Sequence, residues 1–282
     1  NDLDARSPEI LQDALLGAVR QLKAGNTAHV ADISSRNPVL VVAELEQAKI
    51  GYTLFSEVFG YSFPQGREGL GEAFAFLPEA ILKRVSASGH ALYSTHPRRL
   101  QTAKTWTRDL GKPFALHLAE HEGEVEMLTS GTGEFLELLK ARVVPGDYSS
   151  PGLTPVRFAD RLGLLDERTL AVHGVHVDEE EMELLVRHKV TVCLCPRSNE
   201  WIGVGHAPVE DYRRKGVRLC LGTDGLSSNH DLDVWNEALH LVVEHELGLL
   251  ELLRWLTLNP ARVLGISNHL GSLTPGKLCR FS

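Results

Sequence analysis

Short apolar runs recur along the chain, and most are followed by a segment whose apolar residues have helical spacing. Seven of these runs predict strands, at residues 27–33, 52–59, 91–94, 113–118, 170–177, 190–195 and 217–223. Strands that alternate with helices form a parallel sheet, because each parallel pair needs a crossover connection. Eight such units close a (β/α)₈ barrel of the TIM type. Because a helix comes first and seven strands follow, the sequence predicts an α/β fold of this barrel type, with its first strand missing from this chain.

The alternative architecture is a doubly wound open sheet. It is disfavoured because no strand is followed by the Gly-x-Gly-x-x-Gly turn of dinucleotide-binding folds. We therefore expect residues 1–265 to form the barrel, with its strands two to eight. Residues 266–282 are rich in turn-forming residues, and we expect them to begin a small C-terminal β segment.

Composition limits the partners and the compartment. The 282 residues carry a formal net charge of −8, which disfavours a nucleic-acid partner. No run approaches the ~18 consecutive apolar residues of a membrane span. We expect the four cysteines to be buried free thiols, which suits a cytoplasmic protein; they are Cys193, Cys195, Cys220 and Cys279. The sequence leaves open whether the protein forms a homo-oligomer.

Polar side chains stand at or near the ends of five predicted strands. They are His90, His117, Glu120, His173, Ser198, Asn199 and Asp224. In a barrel these strand ends surround one mouth, where enzymes of this architecture place their chemistry. A single histidine there is more often structural, and Asp224 beside Gly225 is also typical of a turn cap. Several histidines and carboxylates that converge at one mouth favour a metal site.

The segment His117-Leu118-Ala119-Glu120-His121 also matches the His-x-x-Glu-His pattern of a class of zinc peptidases. That interpretation requires both histidines on one face of a helix. Residues 113–118 instead have strand character, and Gly123 follows closely, so we disfavour a peptidase.

Five stretches together resemble the amidohydrolase superfamily. They are Gly-His-Ala-Leu-Tyr-Ser at 89–94, His-Leu-Ala-Glu at 117–120, His-Gly-Val-His at 173–176, Cys-Pro-Arg-Ser-Asn at 195–199 and Gly-Thr-Asp-Gly at 222–225. Their order and spacing are similar to those of one branch, the metal-dependent deaminases and chlorohydrolases. That branch includes cytosine, guanine, S-adenosylhomocysteine and aminodeoxyfutalosine deaminases and atrazine chlorohydrolase.

The resemblance implies a metal-assisted hydrolysis. His117 and Asp224 would be metal ligands, and Asp224 would also hydrogen-bond the reactive water. Glu120 would carry a proton from that water to a ring nitrogen of the substrate, and His173 would orient the water or polarise the reacting centre. A divalent metal lowers the pKa of a bound water to roughly 7. Zinc is the expected metal because histidine ligands favour it, with iron and manganese as alternatives.

Other residues are implied to meet the substrate. His90 would face a small heterocyclic molecule, although Leu92 replaces a proline that the family carries nearby. Glu120 would also contact the substrate, while Ser198 and Asn199 would brace the mouth of the barrel. His176 lies three positions after His173, and we interpret it as structural.

The chain departs from the family in a further respect: no His-x-His occurs in its 282 residues. The family carries that pair on the first barrel strand. We therefore expect this chain to be a fragment of a longer enzyme. We expect the fragment to bind metal weakly and to be inactive alone, whereas the longer parent protein is active.

The expected reaction is hydrolytic deamination of a purine-like or nucleoside-like heterocycle. The alternatives are removal of chloride or an amine from a triazine-like ring and, in another class, a non-catalytic barrel that binds a ligand.

Overall fold

A computed structural model describes residues 8–34, 37–61 and 78–278 of the chain. Seven strands form one sheet, and their order in the sheet is their order in the chain. The strands are β1 His29–Ile33, β2 Gly51–Val58, β3 Val85–Ala91, β4 Phe114–Leu118, β5 Thr169–His173, β6 Thr191–Leu194 and β7 Arg218–Leu221. Every neighbouring pair is parallel.

Helices precede, connect and follow the strands in the described part of the chain. They are α1 Pro8–Ala24, α2 Pro38–Gln47, α3 Glu79–Leu82, α4 Pro97–Asp109, α5 Glu122–Ser130, α6 Glu134–Lys140, α7 Pro155–Arg161, α8 Glu179–Arg187, α9 Pro196–Ile202, α10 Val209–Lys215, α11 Val234–Glu244, α12 Leu249–Leu253 and α13 Asn259–Val263. A π-helical turn, Arg254–Leu258, joins α12 to α13. Within the described residues, no helix combines the length and apolar character needed to cross a membrane.

The sequential strand order confirms the barrel-type prediction. A doubly wound sheet reverses its order at a switch point, and no reversal occurs here. β1 and β7 are the two ends of the order, and no pairing joins them among the residues that the structure describes. The chain therefore supplies seven strands of a (β/α)₈-type architecture, as the strand count predicted.

The predicted position of the third strand was wrong. It was placed at residues 91–94, whereas β3 spans Val85–Ala91 and the residues after it form a turn. The strand was missed because it reads Val-Ser-Ala-Ser-Gly-His-Ala, with few of the large apolar residues that mark buried strands. Its serines are buried nevertheless, and the Ser86 hydroxyl donates to the Pro113 carbonyl of the neighbouring segment.

The fifth predicted strand was too long at its carboxyl end. It was placed at residues 170–177, whereas β5 ends at His173. The residues that follow leave the sheet because His173 and Gly174 both adopt left-handed backbone conformations, with φ of 75° and 60°. His176 is therefore a loop residue rather than a strand residue.

The sheet separates two apolar layers, as the alternation of β6 shows. Val192 and Leu194 pack in the large core between the sheet and its helices, whereas Cys193 faces a smaller buried cluster on the other side. Cys193, Cys195 and Cys220 are buried free thiols, which confirms that prediction for three of the four cysteines. Cys279 lies outside the described residues.

The two predicted domain segments stay predictions. Residues 266–278 form turns and bends without a strand, and residues 279–282 lie outside the described part of the chain. The predicted small C-terminal β segment therefore has no described strand.

The close contact between β3 and α4 requires a residue without a side chain at Gly89. A Cβ atom at this position would overlap the side chain of Leu100 and lie 3.0 Å from Leu116 Cδ1. We expect Gly89→Ala to lower the free energy of unfolding by about 1–3 kcal/mol through overpacking. The matched control is Gly17→Ala in α1, where the nearest atom would be 3.9 Å away. Urea unfolding of both variants measures the difference, and equal stabilities would show that α4 can move aside.

Candidate metal and catalytic site

A β-bulge places His90 at the mouth of the sheet. Gly89 pairs with Leu116, and Ala91 pairs with His117, so His90 is the extra residue between them. A bulge re-aims a side chain and frees a backbone group from the ladder. The freed carbonyl of His90 accepts a hydrogen bond of 2.7 Å from Nδ1 of His117. One irregularity in β3 therefore orients two histidines.

In each of these histidines Nδ1 is hydrogen-bonded within the protein, and Nε2 points away from that hydrogen-bond partner. Nδ1 of His90 is hydrogen-bonded to the Ser94 hydroxyl, as Nδ1 of His117 is to the His90 carbonyl. Such a partner on one nitrogen fixes the ring orientation and leaves Nε2 for a ligand. Burial, followed by the nearby His117 ring, lowers the pKa of His90 to about 4. The neutral ring of His90 is the form that binds metals.

Glu57 completes a group of three possible ligands with these histidines. Ligand atoms of Glu57, His90 and His117 all lie within 4.8 Å of one another, and each residue is partly buried. Glu57 was not among the predicted site residues. Its signal was a carboxylate near the end of a predicted strand, but it was not counted with the polar strand ends that were expected to form the site.

The turns after β4 and β5 bring Glu120 and His173 together. Ala119 has a left-handed φ of 54°, and His173 has one of 75°. Outside glycine such conformations cost on the order of 1–3 kcal/mol and persist where the surroundings enforce them. Here the amides of Gly174 and Val175 donate to the carbonyls of Leu118 and Ala119, over 3.1 and 2.9 Å. The result is a distance of 3.4 Å between His173 Nε2 and Glu120 Oε1.

Asn199 orients the buried ring of His173. Its amide oxygen lies 2.9 Å from His173 Nδ1, and both residues are buried. An amide oxygen only accepts, so Nδ1 carries the hydrogen and Nε2 is directed to Glu120. The amide nitrogen of Asn199 is also buried and has no hydrogen-bond partner among the described residues. A ligand at the mouth would be one way to satisfy it.

Two serines hold the carboxylate of Asp224. Its Oδ2 accepts from the hydroxyls of Ser198 and Ser228 over 2.7 and 2.8 Å. Partial burial acts to raise the pKa of Asp224, but these hydrogen bonds and the nearby His173 outweigh it and hold the pKa below its usual value. Asp224 also has a left-handed φ of 56°. Its direction is therefore fixed by the protein before any ligand binds.

A buried polar network supports Asp224 from behind. Glu237 is fully buried and accepts from the Arg197 amide over 3.1 Å and from Asn229 Nδ2 over 2.8 Å. Asn229 Nδ2 also donates to the Thr223 carbonyl, and Arg197 forms a two-point ion pair with Asp231 at 2.9 Å. This network ties the turn after β6 to the turn after β7. Ser228, Asn229 and Glu237 were not among the predicted site residues, because the sequence does not show that these polar side chains are buried.

The structure brings the predicted site residues to one end of the sheet and into three contacts. His90 meets His117, Glu120 meets the His173–Asn199 pair, and Ser198 meets Asp224. The rings of His117 and His173 are stacked at 5.6 Å between centroids, which links the first of these contacts to the second. Their roles stay predictions.

Two further histidines take structural contacts. His176 Nε2 lies 2.9 Å from the Val204 carbonyl, and His121 Nδ1 accepts from the Gly123 amide at the start of α5. His117 lies in β4 and His121 precedes a helix, so the two do not share a helical face, as the peptidase pattern would require.

A second buried carboxyl lies directly behind Glu120. Glu124 is fully buried, and its Oε2 accepts from the Glu120 amide over 3.0 Å. Burial raises the pKa of Glu124 to about 8 in spite of that hydrogen bond. Glu124 was not predicted as a site residue, because a glutamate in the first turn of a helix is ordinarily exposed.

Glu124 gives stability a pH dependence of defined sign. Its folded pKa of about 8 lies above the ordinary 4.5, so between these values the folded protein keeps a proton that the unfolded chain has lost. The free energy of unfolding therefore falls as pH rises through this window. We expect Glu124→Gln, which cannot ionise, to lose less stability than the parent between about pH 5 and about pH 8, by on the order of a few kcal/mol at most.

Urea unfolding midpoints of both proteins at the two pH values test this expectation. Equal losses in parent and variant would mean that the Glu124 pKa lies near its ordinary value in the folded protein.

Comparisons with known proteins agree with this geometry. The sequence model described as "Amidohydrolase family" matches residues 7–281. A 5-methylthioadenosine/S-adenosylhomocysteine deaminase from Natronomonas pharaonis is 33% identical over 241 residues, which are 83% of this chain and 51% of that protein. This chain thus spans about half the length of that curated relative.

Two solved structures are similar in fold. An adenosine deaminase from Xanthomonas campestris with bound zinc is 25% identical, with a TM-score of 0.72 over 96% of this chain and 61% of that chain. Helicobacter pylori aminofutalosine deaminase in complex with methylthio-coformycin is 20% identical, with a TM-score of 0.79 over 94% of this chain and 66% of that chain. At that identity the second likeness shows the fold alone. The match over nearly the whole sequence shows that the chain belongs to the amidohydrolase family.

Proposed function

We propose that this chain carries the acid–base machinery of a metal-dependent hydrolase that deaminates a purine nucleoside or a similar heterocycle. The observation that supports it most is the Glu120–His173 pair, held at 3.4 Å beside the Glu57–His90–His117 group. An acid–base carboxylate next to clustered histidines is what hydrolytic removal of an amino group requires. We place the protein in the cytoplasm, in keeping with its three buried free thiols.

The residues present fit a divalent metal ion. Histidine nitrogens and carboxylate oxygens are ligands that zinc accepts, and the fixed Nδ1 partners of His90 and His117 are typical of metal-binding histidines. His117 and Asp224 are the ligands that we propose from the family pattern, and Glu57 and His90 are alternatives that the geometry offers. When bound, such an ion supplies the Lewis acidity that lets water attack at neutral pH.

The residues around this position move and hold protons. In our proposal Glu120 takes a proton from the attacking water and delivers it to the ring nitrogen next to the carbon under attack. The hydroxyl group added to that carbon then gives up its proton to the amino group, the C–N bond breaks, and ammonia leaves as the C=O bond forms. One positioned carboxylate contributes typically 10²–10⁴-fold to such proton transfers. His173 is held by Asn199 with Nε2 facing Glu120, so it orients the carboxylate and the water.

An exposed aromatic ring lies beside His90, on the side of the site where we propose that the substrate binds. Phe59 follows β2, is 46% exposed, and meets the His90 ring edge to face at 5.1 Å between centroids. An exposed aromatic ring beside a neutral imidazole suits a flat heterocycle. The sequence relative named for deamination of methylthioadenosine and S-adenosylhomocysteine makes adenosine-type compounds the first substrates to test.

Activity should depend on the Glu120 carboxylate. We expect the full-length gene product to release ammonia from adenosine, 5-methylthioadenosine or S-adenosylhomocysteine. We expect Glu120→Gln to lower kcat by about 10²–10⁴-fold, because the amide cannot carry the proton. Glu122→Gln is the matched control, since this carboxylate is exposed two residues away and should leave kcat unchanged.

Each alternative gives a different result in the same assay. Chloride release from a chlorinated triazine without ammonia release from adenosine-type compounds would support a triazine hydrolase. Binding of those compounds without any turnover, equal in parent and Glu120→Gln, would overturn the enzyme proposal in favour of a binding protein.

Zinc titration of the 282-residue chain tests the ligand assignment without any activity measurement. We expect one ion per chain and at least about 10²-fold weaker binding in His117→Ala, because His117 belongs to both candidate ligand sets. A loss in Asp224→Asn would support the family pattern, whereas a loss only in Glu57→Gln would support the alternative set. The control is His188→Ala. His188 lies at the end of α8, and its ring pairs with Asp160. Unchanged binding in His117→Ala would refute both assignments.

A further inference from the structure

We propose that Glu124 is a positioning residue for Glu120: its buried carboxyl group fixes the turn that presents Glu120 to the site. This inference rests on the proposed function, in which Glu120 carries the proton. Glu124 is fully buried, and its hydrogen bond is to the backbone of the turn rather than to the Glu120 carboxylate.

The side chain of Glu124 in α5 reaches back to the turn that precedes this helix. Glu124 is the third residue of α5, and its Oε2 accepts from the Glu120 amide over 3.0 Å. The Ala119 amide contacts the same carboxyl group. In an ordinary capping box the third helical residue reaches the capping residue, here His121. Glu124 instead reaches one and two residues further back, into the turn itself.

The turn needs this support because it is strained. Ala119 has a φ of 54°, which favours glycine over alanine. On its other side the Ala119 carbonyl accepts from the amides of Val175 and His176, each over 2.9 Å. Glu124 therefore holds the Glu120 amide while the segment after β5 holds the Ala119 carbonyl. Removal of Glu124 would leave the Glu120 amide without this acceptor and release one of the two restraints.

The burial of Glu124 explains how it can lie beside Glu120 without repelling it. Burial, and to a lesser extent the negative charges of Glu120 and of Glu181 in α8, raise the pKa of Glu124. Burial also raises the pKa of Tyr93, in the turn after β3, and Glu124 raises it further. Burial favours the protonated acid, which adds no negative charge and still accepts through its carbonyl oxygen. A glutamine has the same shape, no charge and the same acceptor, so it should replace Glu124.

A pair of nearly isosteric variants isolates the acceptor. Glu124→Gln keeps it, and Glu124→Met fills the space without it. In the full-length protein we expect Glu124→Met to lower kcat for ammonia release by about 10–10²-fold with KM within about threefold, because misplacement of a catalytic group mainly affects the chemical step. We expect Glu124→Gln to retain the parental kcat. The control is Glu122→Met, on an exposed position of the same helical turn.

Parental kcat in Glu124→Met would overturn the proposal, and so would equal loss in the Gln and Met variants, because the acceptor oxygen that Gln retains would then not account for the effect of Glu124. If Glu124→Met does not fold, Glu124→Asp replaces it. This variant remains polar but is one methylene too short to reach the Glu120 amide, and parental kcat in it would overturn the proposal.

Amide hydrogen exchange at residues 119 and 120 separates this proposal from the proposed function. We expect faster exchange in Glu124→Met and parental exchange in Glu124→Gln, whether or not a substrate is found. If the parent releases no ammonia from any substrate, the proposed function fails. Exchange then decides the contact alone: a difference between the two variants supports it, and equal exchange overturns it.

Discussion

The hydrogen bonds between the turn after β4 and the turn after β5 are the interaction on which the rest of the site depends. They hold Ala119 and His173 in left-handed backbone conformations, and these two conformations aim Glu120 and His173 at each other. Strained backbone persists only where its surroundings enforce it. Parallel pairing of β4 with β5 supplies that enforcement, because it places both turns at the same edge of the sheet.

Much of the fold was predictable because buried parallel strands have a strong sequence signal. Six of the seven strands were placed by their apolar runs, and β3 was misplaced because its buried side chains are mostly serine, alanine and glycine. The polar residues that follow strands were located correctly at one edge, since parallel strands all end there. What the chain order could not supply was which of these residues touch, because that depends on turns and on the bulge at His90.

Most of the missed residues share one physical property: each is a polar side chain that is buried in the folded chain. Glu124, Glu237 and Asn229 all sit in segments that read as exposed turns or helix starts. Sequence patterns assign a charged residue to the surface, which is correct in most cases. Only the folded chain shows that these groups meet backbone amides or other side chains away from solvent. Glu57 differs, since its strand was predicted and only its nearness to two histidines was not.

The bulge in β3 separates two demands on one strand. Its neighbours Gly89 and Ala91 are constrained by volume, because the helical layer and the next strand press against them. Residue 90 is outside the in–out alternation of the strand, so its side chain points to the mouth and is not constrained by the packing of the sheet. In our proposal, a substitution at this position would alter the contacts at the mouth while the packing of the sheet stays intact. In evolutionary terms, the side chain at a bulge can change with the demands of the site, free of the volume constraint that acts on its two neighbours.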